Sequence, residues 1–190
     1  MIDVKDGRNG EPDQPPPPPG RPIGLARRSK SRATIEELTS GMITREAGLE
    51  GCFRGAKFPR RQITILALED WHAALADLSG IAGPPDLPWT VRRANVLVEC
   101  VRLPRAKGAT IAVGPVVLEV TGETNPCHRM NEAYQGLLSA LHPHWRGGVT
   151  CRVIEGGHIA QSATKFACWL LLQNAARHAC RDRSGGDQGD

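Results

Sequence analysis

The chain is poor in aromatic residues, 4% of its 190 positions, which argues against the stacking faces that bind single-stranded nucleic acid. It has no C-x-x-C pair, and no set of its cysteines and histidines has zinc-finger spacing, so a structural zinc site has no ligand set. No apolar h-region follows the opening Met1-Ile2-Asp3-Val4. Export is therefore not expected, the thiols are expected to stay reduced, and the location is expected to be cytoplasmic. No apolar run reaches the roughly 20 residues that span a bilayer. The longest candidate, residues 166–176 around Trp169-Leu170-Leu171-Leu172, predicts a C-terminal helix docked on the domain, and no membrane partner is expected. A strong charge of one sign is missing too. The net charge of +4 permits an anionic ligand without announcing a nucleic-acid binder.

What is present fits one domain with tails. Five consecutive prolines at 15–19 cannot join a sheet or helix, so residues 1–22 read as a disordered, extended leader. Residues 23–160 are expected to form the folded domain, and 161–190 a C-terminal helix and polar tail. Arg27, Arg28, Lys30 and Arg32 make a locally basic strand or strand edge, a solvated face or an anion site. Residues 41–46 read as a short strand, followed by the turn-rich Gly48-Leu49-Glu50-Gly51. Residues 62–66 alternate as a strand, after which Leu68, Trp71, Leu75 and Leu78 fall at helical spacing. Strands are predicted over 94–101, 109–113, 116–121 and 149–154, the middle two forming a hairpin across Gly114-Pro115. A short helix is predicted over 136–141. At least six strands against two or three helices, without regular βαβ alternation, favour a mainly β barrel or sandwich over a doubly wound sheet.

Three segments carry residues suited to chemistry. Arg92 and Arg93 with Asn95 place two guanidinium forks and a carboxamide at the start of a strand, a set suited to phosphate or to a heterocycle edge. Pro126-Cys127-His128-Arg129 places a cysteine on a loop just past a strand, among cationic neighbours of the kind that lower a thiol's pKa. Cys100 and Cys151, by contrast, are predicted inside apolar strands, where cysteine acts as a small hydrophobe. Trp145-Arg146-Gly147-Gly148 offers either a close backbone approach to a ligand or a tight turn.

Together these segments resemble the MOSC domain, named after the C-terminal domain of molybdenum-cofactor sulfurase. The resemblance runs over residues 23–160 and rests on Arg92-Arg93-Ala94-Asn95, on residues 117–123, on Pro126-Cys127-His128-Arg129 and on Trp145-Arg146-Gly147-Gly148-Val149. It implies a closed MOSC-type β-barrel with a few short helices, and a role in binding the molybdenum cofactor or carrying sulfur for it. Carried over by position, it implies Cys127 as sulfur carrier or molybdenum ligand. Arg93 and Asn95 would hold the pterin phosphate, Arg129 would stabilise the thiolate, and Arg146 would stand beside the cofactor. Where family members usually carry an acidic residue after the Gly-x-x-Gly turn, this chain has Cys52. That residue is a candidate second thiol, able to resolve a persulfide or sulfenate.

Three functions follow as alternatives. The first is persulfide carriage on Cys127, which needs a partner such as a cysteine desulfurase or a molybdoenzyme, with pyridoxal phosphate expected only on the desulfurase. The second is a small molybdenum-cofactor reductase of N-hydroxylated compounds, with Cys127 on the metal. The third is a non-enzymatic module that engages RNA or an acidic partner through the basic run at residues 27–32.

Overall fold

A computed structural model of the chain describes residues 21–80 and 84–162. Its strands are β1 (Arg21–Arg27), β2 (Glu36–Leu38), β3 (Ser40–Thr44), β4 (Gly48–Leu49), β5 (Ile63–Ala67), β6 (Val96–Glu99), β7 (Thr110–Val113), β8 (Val116–Glu123), β9 (Val149–Glu155) and β10 (Gly157–Ala160). Three short α-helices accompany them: α1 (Leu68–Ala76), α2 (Arg129–Ala133) and α3 (Leu137–Leu141). The expected leader overlaps β1 at Arg21 and Pro22, and residues 1–20 lie outside the described ones. The expected C-terminal helix at 166–176 lies outside them as well.

The strands form two open sheets. The larger has the order β2-β1-β6-β5-β9-β8-β7, and the smaller the order β10-β3-β4. β5 and β6 run parallel, joined by a connection that contains α1, while the other pairs are antiparallel, so the large sheet is mixed. This corrects the expected closed barrel. The ends of the large sheet, β2 and β7, do not pair with each other. β2 is three residues long with two exposed glutamates, and β7 turns Thr110 and Ala112 to solvent, both ordinary ways to end a sheet. Instead of closing on itself, the sheet buries its two faces against different partners.

The period-2 pattern of the central strands shows this directly. Ile63, Ile65 and Ala67 of β5 and Val96 and Val98 of β6 pack with Ile43, Leu49 and Ile159 of the small sheet. The alternate residues Leu66 and Leu97 face the other way, onto Trp71, Leu75, Met130, Leu137 and Leu141 of the helices. Trp71 is 2% exposed, as its place in the helical spacing predicted. The hairpin across Gly114-Pro115 forms as β7–β8, with Val113 opposite Val116.

One predicted strand ends early. β6 stops at Glu99, and Cys100, expected inside it, sits in a left-handed turn at φ +63°. Its N–H donates to the Glu69 carboxylate at 2.7 Å, which ties the end of β6 to the first turn of α1.

Candidate functional site

Cys127 stands where β8 hands over to α2, and the loop is fixed on both sides of it. The Thr124 N–H donates to the Gly148 carbonyl at 2.9 Å, and the Thr124 carbonyl accepts from Arg92 Nη2. Pro126 is buried. After the cysteine, the Met130 N–H returns to the Cys127 carbonyl at 2.8 Å, and the Met130 side chain is sealed in the helical core. The backbone is thus anchored while the Cys127 thiol is exposed and free.

Arg92 and Arg93 diverge because the backbone turns left-handed between them. Arg93 closes a 3-10 turn (Trp89–Arg92) at φ +65°, its N–H bonded to the Thr90 carbonyl at 2.9 Å. A non-glycine residue in this region stores strain on the order of 1 kcal/mol, a feature that clusters at functional sites. Arg92 turns inward and is 5% exposed. Burial pushes its pKa down to about 10, offset only in part by the nearby Cys127 and Glu123. Arg93 is half-buried, and its pKa is lowered by burial first and by the Arg129 charge second.

These residues share a cleft of about 200 Å³, lined also by Arg28, Arg54, Arg61, Thr64 and Thr124. It adjoins a small recess lined by Arg27, Cys52 and Asn95, and Arg28, Arg54, Thr64 and Arg93 border both. Arg28 is 7% exposed, and its guanidinium lies 5.4 Å from the centre of the Phe53 ring. Arg54 lies 5.5 Å from the same ring. Elsewhere arginines are matched to acids: Arg27 with Glu36, Arg152 with Glu119, Arg21 with Glu99, Arg146 with Asp77. Among the described residues, Arg28, Arg54, Arg61, Arg92 and Arg93 form no ion pair with a carboxylate. Arg28 Nη1, Arg92 Nε and Thr124 Oγ1 are buried without a hydrogen-bond partner. A buried charge without an ion-pair partner costs on the order of several kcal/mol, so these arginines are held here at a cost to stability.

The residues singled out from the sequence divide into two groups. Cys127, Arg93 and Arg129 come together, Arg129 close enough to depress Arg93. Asn95 borders the recess, but its side chain is engaged: Oδ1 accepts the Thr64 N–H at 3.1 Å, and Nδ2 donates to the Ala26 carbonyl at 3.2 Å and to Cys52 Sγ at 3.4 Å. Arg146 is bound to Asp77 and the Ala140 carbonyl, away from the cleft lining. The Gly147 beside it makes room for the protein itself. A Cβ there would meet the Thr124 carbonyl at 2.6 Å and Arg92 Nη2 at 2.9 Å. Arg54 and Arg61 carried no sequence signal, and Thr124 lay in the segment leading to Cys127 without being singled out. Arg28 lay in the basic run and Arg92 beside Arg93, and burial by distant segments is what distinguishes them.

Among the described residues, no group of three or more His, Cys, Asp or Glu could hold a metal ion, and no helix is long and apolar enough to cross a membrane. A family model for the MOSC domain matches residues 54–163, more than half of the chain. Among solved structures, the YuaD protein from Bacillus subtilis is similar at 21% identity, with a TM-score of 0.55 over 75% of this chain and 91% of that one. YiiM from Escherichia coli is similar at 17% identity, with a TM-score of 0.50 over 76% of this chain and 67% of that one. At these identities the likeness concerns the fold. No curated protein matches the chain.

Proposed function

The chain belongs to the MOSC domain family, which is associated with molybdenum-cofactor function, and from that premise we propose that it carries sulfur on Cys127. The observation that carries this reading is an exposed thiol, held by an anchored loop, at a cleft whose guanidinium groups form no ion pair among the described residues. A partner's persulfide can reach such a thiol. The Cys127 thiolate attacks the terminal sulfur of that persulfide, a new S–S bond forms on Cys127, and the partner's S–S bond breaks to release its thiolate. No oxidant is consumed. The resulting persulfide anion lies within the field of Arg92 and Arg93, and an arginine-lined wall lowers the cost of holding it. Pyridoxal phosphate belongs to the desulfurase partner in this scheme.

The same donor set fits the molybdenum cofactor. Arg93, with Arg129 near it, would hold the anionic phosphate, and among the described residues Cys127 is the thiol lining the cleft that could ligate a metal. When bound, the cofactor supplies two-electron redox chemistry. Asn95 would act through the recess wall and Cys52, because its polar groups are already bonded within the protein.

Loading tests the reading. The full chain is incubated with a cysteine desulfurase and cysteine, trapped, and mapped by peptide mass. One added sulfur on the Cys127 peptide, removed by a reductant and absent in Cys127→Ser, is expected. Sulfur on Cys52 alone, or none, contradicts carriage. Molybdenum bound in stoichiometric amount without a sulfur adduct points instead to the reductase reading.

A further inference from the structure

Residues 51–68 hold Arg54, Lys57, Arg60 and Arg61 and no acidic residue. The stretch that carries these cations is tied down along its backbone. The Phe53 N–H donates to the Arg28 carbonyl at 2.9 Å, the Phe58 N–H to the Arg54 carbonyl at 2.9 Å, and the Arg61 N–H to the Phe58 carbonyl at 2.7 Å. Gly55 is buried so closely that a Cβ there would meet the Ala47 carbonyl at 1.6 Å. From this fixed backbone Lys57, Arg60 and Arg61 face solvent, and so does Phe58, 44% exposed. Two hollows flank Arg61 outside the Cys127 cleft. One, of about 330 Å³, is bordered by Phe53, Lys57 and Phe58, and the other, of about 470 Å³, by Arg60, Lys107 and Trp145. Arg61 lines both hollows and the cleft as well. Among the described residues Arg54, Lys57, Arg60, Arg61 and Lys107 form no ion pair, and Glu123 is the carboxylate that lines either hollow.

We propose that the two hollows form one docking groove for an acidic, partly apolar segment of the protein that exchanges sulfur with Cys127. Charge complementarity selects the occupant. Exposed cations without partners speed the encounter with an acidic segment and set its orientation. Phe58 adds an apolar contact of the kind that anchors such interfaces, and it is one of few large hydrophobic side chains left exposed among the described residues. Single-stranded nucleic acid fits less well, because its bases need free ring faces. Cations already lie over both phenylalanines, Arg28 and Arg54 at 5.4 and 5.5 Å from the Phe53 ring centre and Lys57 at 5.9 Å from that of Phe58. Lys57, Phe58 and Arg60 are outside the cleft lining, so the groove holds the partner while the cleft stays open. A segment lying across Arg61 brings its own sulfur to the side of the cleft that Cys127 shares. This inference rests on the reading of Cys127 as a carrier served by a partner.

The test uses the full chain and a short fluorescein-labelled peptide of glutamates around a single leucine, followed by anisotropy at fixed ionic strength. Saturable binding is expected. The double variant Lys57→Glu, Arg60→Glu should weaken it by about tenfold or more, since both changes turn attraction into repulsion at exposed positions. Phe58→Ser should weaken it too, and that loss should disappear when the peptide's leucine is replaced by serine, which couples the ring to the apolar side chain. Cys127→Ser should bind the peptide as the parent does. A second arm gives the peptide a persulfidated cysteine. It should load Cys127 about tenfold faster than a neutral peptide persulfide, and the double variant should lose that advantage while still accepting sulfur from the neutral donor. If the parent accepts sulfur from neither donor, the carrier reading fails; the groove stands or falls separately, on peptide binding. No saturable binding, equal binding of a peptide with glutamine for glutamate, or unchanged binding in the double variant overturns the proposal. So does a single-stranded RNA oligonucleotide that displaces the peptide and binds more tightly than it does.

Discussion

β8 and β9 are hydrogen-bonded neighbours, yet β9 and the loop that leaves β8 treat the same chemical groups in opposite ways. On β9, Cys151 is fully buried in the core between the sheets, and the following Arg152 is paired with Glu119 across to β8 at 2.6 Å. In the loop, Cys127 is exposed, and among the described residues the cleft arginines near it form no ion pair with a carboxylate. A cysteine and an arginine on a strand serve the fold. The same pair on an anchored loop leaves a thiol accessible and a positive field without a paired carboxylate, at a cost to stability.

The largest effect that sharpens this contrast belongs to Cys151. Burial pushes its thiol from 9.0 up to about 12. Above pH 9 the unfolded chain releases this proton and the folded chain keeps it, so the stability it contributes is present below pH 9 and lost as pH rises toward 12. The loss is about 1.4 kcal/mol per pH unit in that window, roughly 4 kcal/mol across it. Denaturant unfolding of the parent and of Cys151→Val at pH 8 and pH 10.5 isolates the term, since the valine variant should lack this component of the slope.

Next is Arg93. Lacking an ion pair, it should be dispensable for folding, so Arg93→Ala should leave stability within about 0.5 kcal/mol. On the proposed reading it should weaken retention of an anionic cofactor by about 1.5–3 kcal/mol. Molybdenum and pterin content after purification from a cofactor-competent host checks the second part, and unchanged content removes Arg93 from the site.

Asn95→Ala should invert that result. Three internal bonds are lost, so unfolding should show a loss of about 1–3 kcal/mol. The smallest effect is expected at the exposed pair on β9. Arg152→Ala should cost about 0.2–1 kcal/mol and leave Cys127 chemistry untouched.

Much of the scaffold was legible from residue patterns. Helical spacing of Leu68, Trp71 and Leu75 located α1, and alternation around Gly114-Pro115 located the β7–β8 hairpin. β2, β4 and β10 were not legible: each is two to four residues long and lacks the cluster of β-branched residues that marked β6 and β7. Strand order was not legible either. Whether β2 meets β7 depends on contacts between distant segments, and the open sheet lacks the closure that the resemblance implied. At the site, the Pro126-Cys127 loop and Arg93 stood out locally. The cleft itself is assembled from Arg28 after β1, Arg54 before β5, Arg92 before β6 and Thr124 after β8. Asn95 and Arg146 looked alike as polar residues in motifs, and only their bonded partners separate them from the cleft arginines.

The central claim is that Cys127 is the working thiol, and a short alkylation pulse near neutral pH, followed by peptide mapping of the apo protein, tests it most directly. The account predicts that Cys127 is labelled first and Cys151 last, with Cys52 between them because it is half-buried at the recess, and that loaded sulfur protects Cys127 alone. A protein in which Cys151 reacts while Cys127 stays unmodified contradicts the account.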